Sequence, residues 1–369
     1  MRAIIIEDAK NIMSNPYSPN RYFGWPSVAK LQDGRLAAVA SGFRLRHVCP
    51  FGKAVICFSS DNGKTYSLPA PVIDTPMDDR DAGVLPFGES GLIVTSFTSP
   101  LSLQRRNATS DESTSDASRV ENALMNAYLD TISKESEKTY YSATYRVSND
   151  LGTTFGPIYS SPVTSPHGPV CLSSGSILWV GNDFDEKGSN GHLSAYEIFP
   201  DGRNIFRGSI PAFPGHYNCE PHCIELDDGT LLCHIRLEEN GFFTVAQSES
   251  KDGGRTWTEP RLLLPETGGS PPHLLQLRNG TVVCTYGYRK EPYGIRAMIS
   301  HDRGKTWETD IVVWDNGVSG DLGYPCSVQL DDGSILTVFY GRAKDDKDVA
   351  AFSTRGANFI KQIIWRPSD

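Results

Sequence analysis

Side chains that could do chemistry recur at one point of a repeating unit. Counting back from each of six glycine turns to the start of the strand before it gives Trp25, Asp81, Pro166 or His167, Glu220, Pro271 or a neighbour, and Tyr324. Arginines recur nearby: Arg44, Arg236, Arg289 and Arg342 close the strands after those turns, and Arg296 opens a third strand. Antiparallel strands alternate direction, so first-strand starts, second-strand ends and third-strand starts fall at one end of the strand set. Arginines, two carboxylates and a tyrosine gathered there, on a chain of net charge −9, fit recognition of an anionic ligand. A single arginine more often ends a strand in water. Convergence of several on one face favours the ligand.

The elements that place these residues are two interleaved repeats. In the first, an apolar strand, an Asp-Gly-like turn and a second apolar strand appear six times, as in PSVAKLQDGRLAAVA and PHCIELDDGTLLCHI. The turn glycines Gly34, Gly91, Gly175, Gly229, Gly280 and Gly333 are spaced by 57, 84, 54, 51 and 53 residues, the size of a four-stranded propeller blade. In the second, Ser-x-Asp-x-Gly-x-Thr-aromatic occurs at 59–66, 148–155, 250–257 and 300–307. Its Ser and Asp oxygens suit turn amides and its glycine suits a positive φ. This octapeptide resembles the Asp box, or BNR repeat, of sialidase-type β-propellers. The expected fold is all-β: one domain over residues 1–369, a six-bladed propeller of four-stranded antiparallel blades, with each box between third and fourth strands. Blades three and six lack a clear box; in blade three Pro200-Asp201-Gly202 substitutes. The segment 2–7 (RAIIIE) is β-rich and is placed beside FIKQIIW as the outer strand of the last blade.

Composition narrows the function. With 38% hydrophobic residues over 369 positions, the chain can bury a large core. No basic stripe offsets the negative charge, which argues against a nucleic-acid partner. No apolar run reaches the length of a membrane span, and the run in MRAIIIEDAKN is too short for a signal peptide, so a cytoplasmic protein is expected. Cysteines such as Cys57, Cys171, Cys233 and Cys284 lie inside strand runs and read as buried apolar fillers. Cys219, His222 and Cys223, with His216 nearby, match no zinc spacing, and on a strand Cys219 and His222 face opposite sides; neither a metal nor a cofactor is expected. The long 84-residue spacing marks an insert at about 101–140. Its first half reads as a loop and its second as a short helix with Val120, Leu124, Ala127 and Ile132 at helical spacing. The insert leaves the residue-bearing end, where it is expected to cover Asp81 as a partial lid favouring short terminal sugars, or to serve as a homo-oligomer contact.

The resemblance extends to the site. The segment Asn218-Cys219-Glu220-Pro221-His222-Cys223-Ile224-Glu225-Leu226-Asp227-Asp228-Gly229, followed by Arg236, is similar to a sialidase segment that carries a catalytic glutamate and a substrate arginine. Gly323-Tyr324-Pro325, before an apolar strand and Asp-Gly turn, is similar to the sialidase tyrosine segment, and Arg296 stands where those enzymes place an arginine before the last box. The resemblance implies that Tyr324 is the nucleophile, Glu220 its base, and Arg236 and Arg296 a clamp on the carboxylate of a sialic acid. A neutral phenol avoids the repulsion that a carboxylate nucleophile would meet there. At about pH 7, far below its ordinary pKa of about 10, it needs a base. Blade one departs from the pattern: Phe23-Gly24-Trp25-Pro26 has glycine where the family has its first arginine, and RLRHVCPFGKAVICFSS holds no acid/base aspartate. Arg21, Arg44, Arg46 or Arg80 are the replacement cations, and Asp81, ahead of His47, the replacement acid/base. The expected activity is therefore retaining, exo-acting hydrolysis of a terminal sialic acid or related acidic sugar. The alternatives are a sialidase-fold enzyme with other chemistry, such as another glycosidase or a polysaccharide lyase, and a non-catalytic glycan-binding propeller.

Overall fold

In the computed structural model, which describes residues 1–109, 116–185, 188–264, 271–346 and 357–367, six antiparallel sheets are arranged as a β-propeller. Blade one is built from Tyr22–Lys30, Leu36–Arg44, Lys53–Ser59 and Ala70–Ile73, and blades two, four and five follow the same order of strands. Blade three differs in that its first strand is broken into Val163–Thr164 and Val170–Cys171, both paired with Ile177–Asp185. Blade six takes Gly323–Gln329, Ile335–Gly341 and Phe359–Arg366 from the end of the chain and Ile4–Met13 from its start. That outer strand covers the edge of Phe359–Arg366 and links the two ends of the chain through one sheet.

Runs such as Leu231, Leu232, Cys233 and Ile235 are fully buried because both faces of a blade pack on neighbours. All eight cysteines are free thiols, and Cys171 alone among them is half-exposed.

Each of the four Ser-x-Asp-x-Gly-x-Thr turns ties itself together identically. In the first, Gly63 N donates to Ser59 Oγ at 2.9 Å, Thr65 N to Asp61 Oδ1 at 2.9 Å, and Thr65 Oγ1 to Asp61 Oδ2 at 2.6 Å. The turns also join blades. Tyr66 Oη donates to Gln362 of blade six at 2.6 Å, and Trp307 Nε1 to Gln247 of blade four at 3.0 Å. The same glutamines donate to the carbonyls of Gly63 and Gly304.

The insert is more helical than its composition suggests. Its described residues form three helices, α1 (Leu101–Thr109), α2 (Asp116–Leu129) and α3 (Lys134–Tyr140), and the part of the expected loop at 110–115 lies outside the described residues. The stretch through Thr109, expected as a loop, is helix because Leu101 and Ala108 bury against Leu45, Cys49 and Met77, together with Met125 and Leu129. Burial selects Met125 and Leu129, four residues apart, and leaves Val120 and Leu124 exposed. Among the described residues no helix is long and apolar enough to cross a membrane.

Candidate active site

One backbone irregularity, used four times, builds the site. Trp25, Asp81, Glu220 and Tyr324 adopt φ of 53°, 44°, 47° and 50°. At each, two residues of the first strand oppose one of the second: Asp81-Ala82, for example, fills the gap between the Arg80–Phe97 and Gly83–Thr95 pairs. This is a β-bulge, and left-handed backbone at a residue with a side chain costs about 1–3 kcal/mol. The bulge turns the strained residue toward the mouth, while the residue two places on enters the central channel. The amide of Glu220 is held there by Asn182 Oδ1 of blade three at 2.8 Å.

The channel below is filled by Ser27, His167, His222, His273 and Cys326. His222 and His273 stack at 4.2 Å, with His167 edge-on to both. Leu274 N donates to His222 Nδ1 at 2.9 Å and Ser327 N to His273 Nδ1 at 3.3 Å. Each bond leaves the proton on Nε2, which opposes metal ligation there. Burial keeps the rings neutral, lowering the pKa of His222 to about 3. His167, expected at the mouth, is therefore a channel residue with Nδ1 3.1 Å from Ser27 Oγ, because blade three's broken strand draws it inward.

Above the channel, blades four and six meet in a compact ionic centre. Tyr324 Oη donates to Glu220 Oε1 at 2.5 Å. Arg236 Nη1 donates to Glu220 Oε2 at 2.5 Å and to Tyr324 Oη at 3.2 Å, and Nη2 lies 2.5 Å from Glu238 Oε1. The guanidinium lies over Phe243, 4.8 Å from the ring centre. Burial and the charge of Glu220 raise the Tyr324 pKa well above the ordinary phenol value, with Arg236 opposing. The phenol therefore keeps its proton near neutral pH, directed at Glu220.

Blades one and two form the other half. Burial, helped by Glu220 and opposed by Arg80, raises the Asp81 carboxyl to about 7. Arg80 lies 4.1 Å from the Trp25 ring and donates to His47 O at 3.1 Å and Asp78 Oδ2 at 3.3 Å. Trp25 is sunk between Arg80, Arg44 and the edge of Tyr324. Arg44 itself is not at the mouth: it is fully buried, forked onto Asp78 at 2.5 and 3.0 Å. Arg46 and Arg21 turn to the insert, the first bonding Asn107 O and Asn122 Oδ1 and the second pairing with Glu121. His47 Nδ1 contacts Asp321 at 3.0 Å and Tyr22 Oη at 2.9 Å.

The remaining arginines divide. Arg289 stands 5.8 Å from the Tyr324 ring centre, with Nε donating to Leu322 O at 3.1 Å. Arg296, expected as the second clamp, is turned away: its guanidinium donates to the carbonyls of Trp314 and Pro292 and faces Tyr288, with Asp310 at 3.3 Å. Strand pairing opposite Tyr286 commits its side chain to blade five. Arg342 is half-buried, and its carbonyl accepts from Val318 N at the end of blade six.

A cavity of about 390 Å³ reaches this centre, lined by Arg80, Asp81, Glu220 and Glu238 at one end and by Phe97, Phe184, Tyr141, Tyr217 and Leu103 beyond. The insert reaches the wall of this cavity through Leu103. Glu238 and Asp321 were not anticipated. Glu238 carries a signal, since it lies two residues after Arg236 and shares its strand face. Asp321 lies in a loop, where no period applies.

A family profile described as BNR repeat-like domain matches residues 114–337. No curated protein matches the chain. A crystal structure of a protein of unknown function from Dyadobacter fermentans superposes with a TM-score of 0.73 at 20% identity, covering 99% of both chains. The NanB sialidase from Streptococcus pneumoniae gives 0.66 at 14% identity over 97% of this chain and 70% of its own. The intramolecular trans-sialidase from Ruminococcus gnavus gives 0.64 at 14% over 96% and 98%. With a profile spanning more than half its length, six blades and the turns that define the repeat, the chain belongs to the BNR repeat-like domain family and has the sialidase-like propeller fold.

Proposed function

We propose that the chain is a retaining, exo-acting glycoside hydrolase of sialidase type that releases a terminal sialic acid or a related acidic sugar. The reading rests on one observation: the bond from Tyr324 Oη to Glu220 Oε1 at 2.5 Å, with Arg236 Nη1 bonded to both. In the first step Glu220 takes the phenolic proton as Tyr324 Oη bonds to the anomeric carbon. Asp81 gives its proton to the leaving oxygen as the glycosidic bond breaks. In the second, water attacks the anomeric carbon and passes its proton to Asp81, while Tyr324 departs and recovers its proton from Glu220. Arg236, with Arg289 in the place first given to Arg296, receives the substrate carboxylate.

Turnover of a fluorogenic aryl α-sialoside, measured beside a Tyr324→Phe variant, tests this. Loss of turnover in the variant supports the tyrosine nucleophile; undiminished turnover sinks it. Trp25 on the blade-one side and the Glu238 carboxylate already on Arg236 favour a second reading, a sialidase-fold hydrolase for a different sugar.

A further inference from the structure

Helix α1 buries Leu101, Gln104 and Ala108 on one face. Leu101 and Ala108 join the apolar cluster with Leu45, Cys49 and Met77; Gln104 does not. A buried amide is costly unless its polar atoms find partners. Gln104 is bonded at one end only: Nε2 donates to Asp78 Oδ2 at 2.7 Å, while Oε1 has no partner among the described residues. Burial raises the pKa of the Asp78 carboxyl, but Arg44 and Arg80 outweigh it and hold the group below its ordinary value, so it is an anion. An ionised carboxylate only accepts, and the amide nitrogen must therefore be the atom that faces it. The same Oδ2 accepts from Arg44 Nη2 at 3.0 Å and from Arg80 Nη1 at 3.3 Å, and Oδ1 accepts from Arg44 Nη1 at 2.5 Å. Two guanidiniums share one carboxylate, which leaves one positive charge over. Arg44 takes the fork and is fully buried, whereas Arg80 takes the longest bond and lines the cavity beside Asp81. The surplus charge is therefore Arg80's.

We propose that Gln104 is a positioning residue for the mouth: by occupying Asp78 Oδ2 it keeps that oxygen from drawing Arg80 inward, and so holds the surplus guanidinium charge beside Asp81. Asp81 is faced by Arg80 on its own strand, Arg44 of blade one, Glu220 and Arg236 of blade four and Tyr324 of blade six, with Glu238 across the cavity. Asp79 turns its carboxyl away, to Thr75. After burial, which raises the Asp81 carboxyl, Arg80 acts on it most strongly and in the opposite sense. Without the amide, Oδ2 has two donors in place of three, and Arg80, on the longest bond, is the group that closes on it. Asp81 then loses part of its opposing charge and keeps its proton to higher pH. A role for this in proton transfer rests on the hydrolase reading; the placement of Arg80 does not.

The test reads the carboxyl directly. Aspartate isotope-labelled at its side-chain carboxyl is incorporated into the full chain, and the Asp81 resonance, identified by its loss in Asp81→Asn, is followed against pH by carbon NMR. In Gln104→Met, which keeps an unbranched side chain on the apolar face, the midpoint should rise from about 7 by about half a pH unit or more. Gln104→Leu should do the same. Met125→Ala loosens the same cluster without removing the bond to Asp78, and should leave the midpoint in place. A midpoint unmoved or lowered in the Gln104 variants, or moved as far by Met125→Ala, overturns the proposal. Turnover is read separately: if the hydrolase reading holds, the alkaline decline of kcat/KM on an alkyl α-sialoside moves with the midpoint. A wild type without turnover sinks that reading, while the titration still decides the role of Gln104.

Discussion

The two halves of the mouth use the same bulge and carry opposite chemistry. On the side of blades four and six, Glu220 and Tyr324 present oxygen atoms 2.5 Å apart, and Arg236 binds both. On the side of blades one and two, Trp25 and Asp81 occupy the equivalent strained positions, but Trp25 fills space against two arginines and Asp81 holds a raised pKa. The first half is a preorganised charge centre; the second is an apolar wall with one acid in it. The difference teaches that the bulge supplies direction, not chemistry. The residue placed on it decides whether a blade presents a phenol, a carboxyl or an aromatic wall.

The largest test of this division removes the phenol. Tyr324→Phe leaves Glu220 and Arg236 paired, so the fold should survive while steady-state turnover of an α-sialoside falls by about 10³-fold or more. Next comes Asp81→Asn. An acid with a pKa of about 7 must be protonated to act, so wild-type kcat/KM on a glycoside with an alkyl leaving group should decline as pH rises through 7. The variant should lose about 10²- to 10³-fold and that alkaline decline together. A pH–rate profile unchanged in shape would remove Asp81 from the role.

A smaller effect separates the charge centre from its own constraint. Glu238→Gln keeps an acceptor for Arg236 Nη2 and deletes a negative charge beside the expected carboxylate site. Free sialic acid should bind about three- to tenfold more tightly to the variant, and its methyl ester about equally to both proteins. Weaker acid binding would mean that Glu238 instead holds Arg236 in place. The smallest effect lies away from the mouth. Ser59→Ala removes the buried acceptor of Gly63 N in the first box and should cost about 1 kcal/mol in chemical denaturation, with turnover unchanged.

Much of this was legible in the chain. The six glycine turns gave the blades, because the turn needs a positive φ and the strand pair needs a fixed length. The box turns were legible because their contacts are local: Ser59, Asp61 and Thr65 bond one another within one turn. Counting back reached Glu220 and Tyr324, which the structure brings within a hydrogen bond, because both stand at the same distance before their turn glycines. Arg44 and Arg296 failed because both sit at the right strand ends yet find partners from elsewhere in the chain. Asp78 draws Arg44 inward, and carbonyls around Trp314 hold Arg296 away. His167 failed through a broken strand that no repeat in the chain announces.

Local spacing and turn chemistry, which act over a few residues, thus set the blade count and the strand positions of Trp25, Asp81, Glu220 and Tyr324, whereas the closure of Ile4–Met13 on Phe359–Arg366 joins the two ends of the chain and was decided by the tertiary structure. Tertiary structure alone decided which arginines remained at the mouth, that the insert walls the cavity, and that Asp81 is raised to about 7. Those outcomes depend on charge pairing and desolvation between blades. Such energies are set by distance and burial in three dimensions, and neither is a periodic property of the chain.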